Sequence, residues 1–217
     1  MNIPGDPTVL PAESASRPPA HELVYRRLRE QILFGEMAPG QAVTIQGLAR
    51  ALGVGMTPVR EAIRRLTSDG ALVFQGNRRV SVPQLTNSDV EQLFYLRKTM
   101  ESELVRRAAP RISDAVIAEL DALDRSLDQA ISAGDVVGYL ASNYQFHSRL
   151  YDQANAPVIS DLVNRIWLRF GPSLRVVCGR FGTQNLRDHH KELLAALHQR
   201  DAQAAARAVV RDVEQGM

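Results

Sequence analysis

Apolar side chains recur at three- and four-residue spacing along most of this chain, and short β-prone runs interrupt that rhythm only between positions 72 and 83. Val24, Leu28 and Ile32 set one face of a helix over positions 22–34, and Gly35 ends it. After the turn Ala38-Pro39-Gly40, Thr44 can cap a short helix containing Leu48-Ala49-Arg50-Ala51-Leu52, and Gly53 supplies a sharp turn into the next helix. That helix is predicted to begin with Thr57 as N-cap and Pro58, whose fixed φ and missing N–H suit a first turn. Val59, Ala62, Ile63 and Leu66 form its buried stripe, and Thr57, Arg60 and Arg64 fall on the opposite side. Leu72-Val73-Phe74 and Val80-Ser81-Val82 then flank Gln75-Gly76-Asn77-Arg78-Arg79, a connection rich in turn residues, and Pro83 closes the second run.

Beyond Pro83 the helical period returns with little strand character, over positions 89–107, 114–133, 135–154, 156–170, 173–178 onward, 186–199 and 202–214. Ser113-Asp114 and Asn87-Ser88-Asp89 offer N-caps, and Gly134-Asp135 and Arg200-Asp201 punctuate helix ends. The expected architecture is mainly α: an N-terminal winged helix-turn-helix with a small β-hairpin wing, then an all-α antiparallel helical bundle. Residues 1–20 hold five prolines and no apolar period, and read as a disordered arm; 21–84 form the winged domain and 85–217 the bundle.

Charge changes this picture by locating a partner. Residues 21–84 carry nine Lys+Arg against five Asp+Glu, whereas residues 85–217 carry sixteen against seventeen, so the chain's net charge of +2 hides a basic N-terminal domain. An outward hydroxyl and two guanidiniums on one helix face suit duplex DNA: an arginine fork bridges the O6 and N7 of guanine or clamps a phosphate. A surplus of four per copy is modest for phosphate neutralisation, and a dimer doubles it. The first twenty residues lack the apolar core of a targeting peptide, and no membrane segment is apparent. The single cysteine, Cys178, excludes an intramolecular disulfide and fits a reducing cytoplasm; it reads most simply as a small buried hydrophobe.

The run Thr57-Pro58-Val59-Arg60-Glu61-Ala62-Ile63-Arg64-Arg65-Leu66, with Asp69-Gly70 and Asn77-Arg78 after it, resembles the GntR family of bacterial transcriptional regulators. The likeness extends upstream through Val24-Tyr25, Ile32 and Gly35-Glu36-Met37-Ala38-Pro39-Gly40. Downstream, Leu93-Phe94-Tyr95-Leu96-Arg97, Glu101, Phe146-His147, His190 to Leu197 and Asp201 resemble the helical effector domain of the FadR subfamily, called FCD. The resemblance implies a sequence-specific regulator, a homodimer on a palindromic operator, with DNA faced by Thr44, Gln46, Gly55, Met56, Thr57, Arg60, Arg64, Asn77, Arg78 and Arg79. Two departures stand out. Gly55 and Met56 replace the family's usual serine or threonine and arginine, so Met56 is expected to meet a thymine methyl rather than a guanine. Arg79 stands where glycine is usual and adds a guanidinium to the wing.

In many FCD domains an aspartate, the histidine four residues after it and two later histidines bind a divalent metal; the matching set here is Asn143, His147, His190 and Asp212. Two imidazoles and a carboxylate suit zinc, nickel or iron, with Asn143 as a weak oxygen ligand or outer donor. The alternative is a metal-free pocket in which the two histidines bond the effector or each other. Arg97 matches a position facing the cavity and can pair an effector carboxylate, or it can pair Glu101 at i+4. His189 is expected to face about 100° away from His190, either exposed or as an outer donor to the site, and His21 and His198 to be surface residues. The expected function is repression relieved by a small organic acid, with a metal-dependent enzyme using the His/Asp site as the alternative and RNA binding through the winged domain as a third reading.

Overall fold

The computed structural model describes residues 18–76, 79–181 and 189–216, without side chains at 176–181. Most of the proline-rich arm, Asn77, Arg78 and the Cys178 side chain therefore lie outside the described residues.

Helix α1 (Ala20–Leu33) begins two residues earlier than its stripe predicts, directly after Pro19, and buries Val24, Tyr25, Leu28, Ile32 and Leu33. Strand β1 (Ala42–Thr44) leads into α2 (Ile45–Leu52), which Thr44 caps by accepting the Gly47 N–H at 3.0 Å. Gly53 ends α2 at φ +65°, the left-handed conformation that glycine adopts without a Cβ penalty. Helix α3 (Met56–Ser68) starts before the expected position: Gly55 is its N-cap and Thr57 lies inside the first turn. Pro58 then occupies the third helical position, still within the turn whose N–H groups have no intrahelical partner, so its missing donor costs nothing.

The wing is a three-stranded antiparallel sheet in the order β1-β3-β2, not a simple hairpin. In it β3 (Arg79–Ser81) pairs on one side with β2 (Val73–Phe74) and on the other with β1, placing Val80 opposite both Val43 and Phe74.

Helix α4 (Asn87–Ala108) opens the second domain. Its N-cap is Thr86 rather than the expected asparagine or serine: the hydroxyl accepts from Asp89 N–H at 3.1 Å, and the Asp89 carboxylate accepts the Thr86 N–H at 2.9 Å. Helix α5 (Asp114–Ala133) is capped by Ser113 and ended by Gly134, as its sequence indicates. Helix α6 (Val136–Tyr151) starts after Asp135 and runs into a single 3₁₀ turn, Asp152–Ala154.

The largest departure is α7, which runs unbroken from Pro157 to Phe181 through Pro172 where two helices are predicted. Proline removes one helical hydrogen bond there, but Leu168, Phe170 and Leu174 around it are all buried, and packing outweighs that local loss. Helices α8 (His189–His198) and α9 (Ala202–Gln215) complete the bundle, with Asp201 capping α9.

Packing within the bundle sets α4 against α7 and α9, α5 against α6 and α8, and α8 against α9. Helix α7 also lies along α1, so one core runs from Leu28, Ile63 and Leu66 through Leu33 and Trp167 into Leu104, Phe146 and Leu193. At the crossing Gly171 meets the α1 backbone: a Cβ there would stand 2.4 Å from the Leu33 carbonyl oxygen.

Candidate functional site

On α3 the amphipathic pattern translates directly into geometry. Val59, Ala62, Ile63 and Leu66 are buried, and Met56, Thr57, Arg60 and Arg64 are exposed, Met56 by 48%. Among the described residues neither Arg60 nor Arg64 has an ion-pair partner, whereas the adjacent Arg65 is committed. Its guanidinium lies 3.7 Å from the Tyr25 ring centroid and pairs with Glu22 at 2.9 Å, tying α3 to α1. No side chain caps α3, so Gly55 leaves the first-turn N–H groups open to a phosphate. Thr44, Gln46 and Arg79 are exposed as well, with Thr44 and Arg79 directly paired across β1 and β3.

In the bundle, three of the four matched residues converge. His147 Nε2 lies 3.0 Å from Asp212 Oδ2 and 3.2 Å from His190 Nε2, and His190 Nε2 lies 3.7 Å from Asp212 Oδ1. One ligand atom from each residue falls within 4.8 Å of the others. Both histidines are buried and Asp212 is partly open. Helical spacing explains the placement of Asn143, buried one turn before His147 on α6.

Burial pushes the Asp212 carboxyl up, but the His190 and His147 imidazoles and the Arg97 guanidinium outweigh it and hold the group well below the usual carboxylate range. Aromatic rings pack against both imidazoles. Phe146 stacks on His190 at 4.2 Å, and His147 leans on Trp167 at 5.5 Å.

Arg97 makes the i+4 pair that its spacing allows: it is buried against Glu101, with Nε 2.6 Å from Oε1. Its guanidinium also covers the Trp167 ring at 4.4 Å. The sequence pattern did not reveal the contacts that this pair makes with α6. Glu101 Oε2 accepts the Tyr151 hydroxyl at 2.5 Å, and that hydroxyl lies 3.0 Å from His147 Nδ1. Tyr151 sits at i+4 from His147, the same spacing that joins Arg97 to Glu101, so a local signal existed. Asp124, 3.4 Å from His190 Nδ1, comes from a different helix and had none. His189 is buried, 3.5 Å from Glu192, so of its two expected placements it does not take the exposed one, and His21 and His198 are exposed beside Glu61 and Asp121.

A contact route leaves the cluster toward the winged domain. Trp167 meets the Tyr144 ring edge-on at 5.6 Å, and the Tyr144 hydroxyl accepts from Arg29 of α1 at 2.8 Å and donates to Asn164 of α7 at 3.0 Å.

A winged helix-turn-helix packed on an all-α bundle is the architecture of a two-domain transcriptional regulator. Comparison with known proteins agrees. Residues 20–82 match "Bacterial regulatory proteins, gntR family" and residues 92–215 match "FCD domain". The chain belongs to the GntR family, in the group whose second domain is FCD, and it is a transcriptional regulator rather than an enzyme. It is similar to the HTH-type transcriptional regulator McbR of Escherichia coli K12, with 28% identity over 89% of each chain. The HTH-type transcriptional repressor GlaR of the same organism is 27% identical over 84% of this chain and 87% of GlaR. The solved structure of E. coli McbR/YncC superposes with a TM-score of 0.87, 28% identity and coverage of 92% and 95%. A regulator from Rhodococcus sp. RHA1 superposes at 0.75, with 25% identity and coverage of 89% and 93%. Among the described residues no helix is long and apolar enough to cross a membrane.

Proposed function

We propose that this protein is a cytoplasmic homodimeric repressor, released from a palindromic operator by a small organic acid bound in the helical domain beside a divalent cation. The observation that carries the reading is the convergence of His147, His190 and Asp212 in a buried cluster joined by the contacts of Trp167 and Tyr144 to Arg29 of the winged domain. The donor set fits a cation. Two Nε2 atoms face one another at 3.2 Å, where only one proton fits between them, and a carboxylate closes the third corner. His147, His190 and Asp212, with Asn143 on the same helical face as His147, would hold zinc, nickel or a similar ion, which when bound supplies an anchor for an effector carboxylate. Domains 21–84 and 85–217 divide the work between DNA reading and effector binding with dimerisation.

At the DNA face, Arg60 and Arg64 supply guanine or phosphate contacts, Thr57, Gly55, Thr44 and Gln46 approach the backbone, and Met56 offers an apolar surface to a thymine methyl. Asn77, Arg78 and Arg79 extend the contact from the wing. Exposed Tyr95 and Leu96 on α4 give the bundle an apolar patch suited to a second copy, and the repressor sign rests on the naming of relatives such as GlaR. An effector need favour one pose of the winged domains by about a hundredfold, about 2.7 kcal/mol, to empty an operator.

Selection of binding sites from random duplexes, with zinc and with a chelator, tests the reading. A short palindrome is expected, with Arg60→Ala weakening it by about 1–3 kcal/mol or lowering the salt slope by about one. Enrichment of single half-sites by a monomer, or a selected site indifferent to Arg60→Ala, would overturn it.

A further inference from the structure

The wing holds an exposed aromatic ring at the outer edge of its sheet. Strand β2 is that edge, and its two residues, Val73 and Phe74, are exposed by 38% and 60%. Edge strands are ordinarily blunted with charge, because a bare apolar edge invites association. The ladder explains how Phe74 comes to be bare. Side chains alternate between faces along a strand, so Val43, Val80 and Phe74 stand in register on one face, and Thr44 and Arg79 on the other. Val80, in the middle strand, is buried in the domain core, whereas Phe74 lies one strand further out and overhangs it. Beyond Phe74 the turn is closed by two hydrogen bonds, Gln75 N–H to the Arg79 carbonyl and Arg79 N–H to the Gly76 carbonyl, each at 3.0 Å. Among the described residues, nothing beyond its chain neighbours would lie within 4 Å of a Cβ at Gly76, so this end of the wing projects into open space.

We propose that Phe74 is the wing's apolar contact with operator DNA, its ring packed on deoxyribose in the minor groove while the exposed Arg79, on the opposite face of the sheet, reaches a phosphate. The inference rests on the placement of the wing on DNA proposed above. Deoxyribose presents carbon-bound surface between charged phosphates, so a wing with one apolar face and one cationic face matches the groove wall in both respects. Charge favours this occupant over a second copy, since pairing β2 with itself would bring two basic wings together, whereas DNA supplies the opposite sign. A minor groove about 6 Å wide does not admit a β-ribbon and a phenyl ring without opening. Phe74 is therefore expected to favour a deformable pyrimidine–purine step beside the sequence read by α3, a preference expressed through shape rather than through hydrogen bonds.

The test uses the full-length protein and the duplex recovered by site selection. Hydroxyl-radical cleavage, which reads the exposure of deoxyribose, is expected to show sugars protected by the wild type beside the site read by α3, and Phe74→Ala to restore cleavage there. Affinity is expected to fall about tenfold in Phe74→Ala. The slope of log K against log salt should stay unchanged, because an apolar contact releases no counterion, whereas Arg79→Ala should lower that slope by about one. Phe74→Leu, smaller but apolar, should recover part of the loss, and thermal unfolding and sedimentation of both Phe74 variants should match the wild type. Affinity of Phe74→Ala within about twofold of the wild type, with the same sugars protected, would overturn the inference. So would a Phe74→Ala variant that sediments differently from the wild type, which would set Phe74 against a second copy. A wild-type protein that selects no duplex would remove the placement of the wing on DNA, and the inference with it.

Discussion

Gly171→Ala isolates the crossing of α1 and α7, where the two domains share a core. In an ordinary helix interior this change stabilises by about 1 kcal/mol, because alanine restricts the unfolded chain and suits the helix better than glycine. Here the new methyl would stand 2.4 Å from the Leu33 carbonyl oxygen and 3.2 Å from its carbonyl carbon and Cα. All three are backbone atoms near the end of α1, so no rotamer change relieves the contact. Reaching an ordinary separation requires the helices to part by about 1 Å, which forfeits a quarter to a half of the dispersion well for each atom pair across the crossing. Overpacking of this kind costs about 1–3 kcal/mol. The net expectation is destabilisation of up to about 2 kcal/mol, with Gly171→Val worse, measured by urea unfolding monitored by far-ultraviolet circular dichroism. Both variants should also weaken the response of DNA affinity to pocket occupancy, since α7 carries Trp167 and touches α1. Stabilisation of Gly171→Ala by the full helix-propensity gain would refute the close crossing.

Two surface contacts carry further expected outcomes. Thr86→Ala removes the hydroxyl that accepts from Asp89 N–H at the entrance to α4, and thermal unfolding should register a loss of about 1 kcal/mol. The Glu22 carboxyl is held below the usual range by its hydrogen bond from Arg26, partly opposed by burial and reinforced by Arg65. A carboxyl lowered on folding stabilises above its unfolded value, about 4.3, and loses that contribution as pH falls through the lowered folded value. The melting temperatures of wild type and Glu22→Gln should therefore differ at neutral pH and converge in strong acid; a gap independent of pH would count against the ion pair.

The winged domain was legible because local chemistry and tertiary packing agree there: each stripe of α1 and α3 is buried, and Thr44 and Gly53 do locally what their side chains and backbone favour. Strand β1 was not legible, since three residues stabilised wholly by a distant strand leave almost no periodic trace. Pro172 misled for the opposite reason, a strong local breaker overruled by the burial of its neighbours. At the cluster, spacing put Asn143 and His147 on one helical face and allowed the Arg97–Glu101 pair, the family resemblance pointed to His190 and Asp212, and the fold brings those two to His147. Asn77 and Arg78 lie outside the described residues.

Trp167 is the chain's single tryptophan, and its position gives the protein a built-in optical gauge. The indole is buried, with no hydrogen-bond partner for Nε1 among the described residues, a guanidinium over its ring, the His147 imidazole leaning on it and the Tyr144 edge against it. All tryptophan emission therefore originates at one point between pocket and winged domain. A charge placed beside His147, or a shift of Tyr144 with α1, reaches the same chromophore from opposite ends, so quenching and spectral shift track ligand arrival and domain movement without any attached dye.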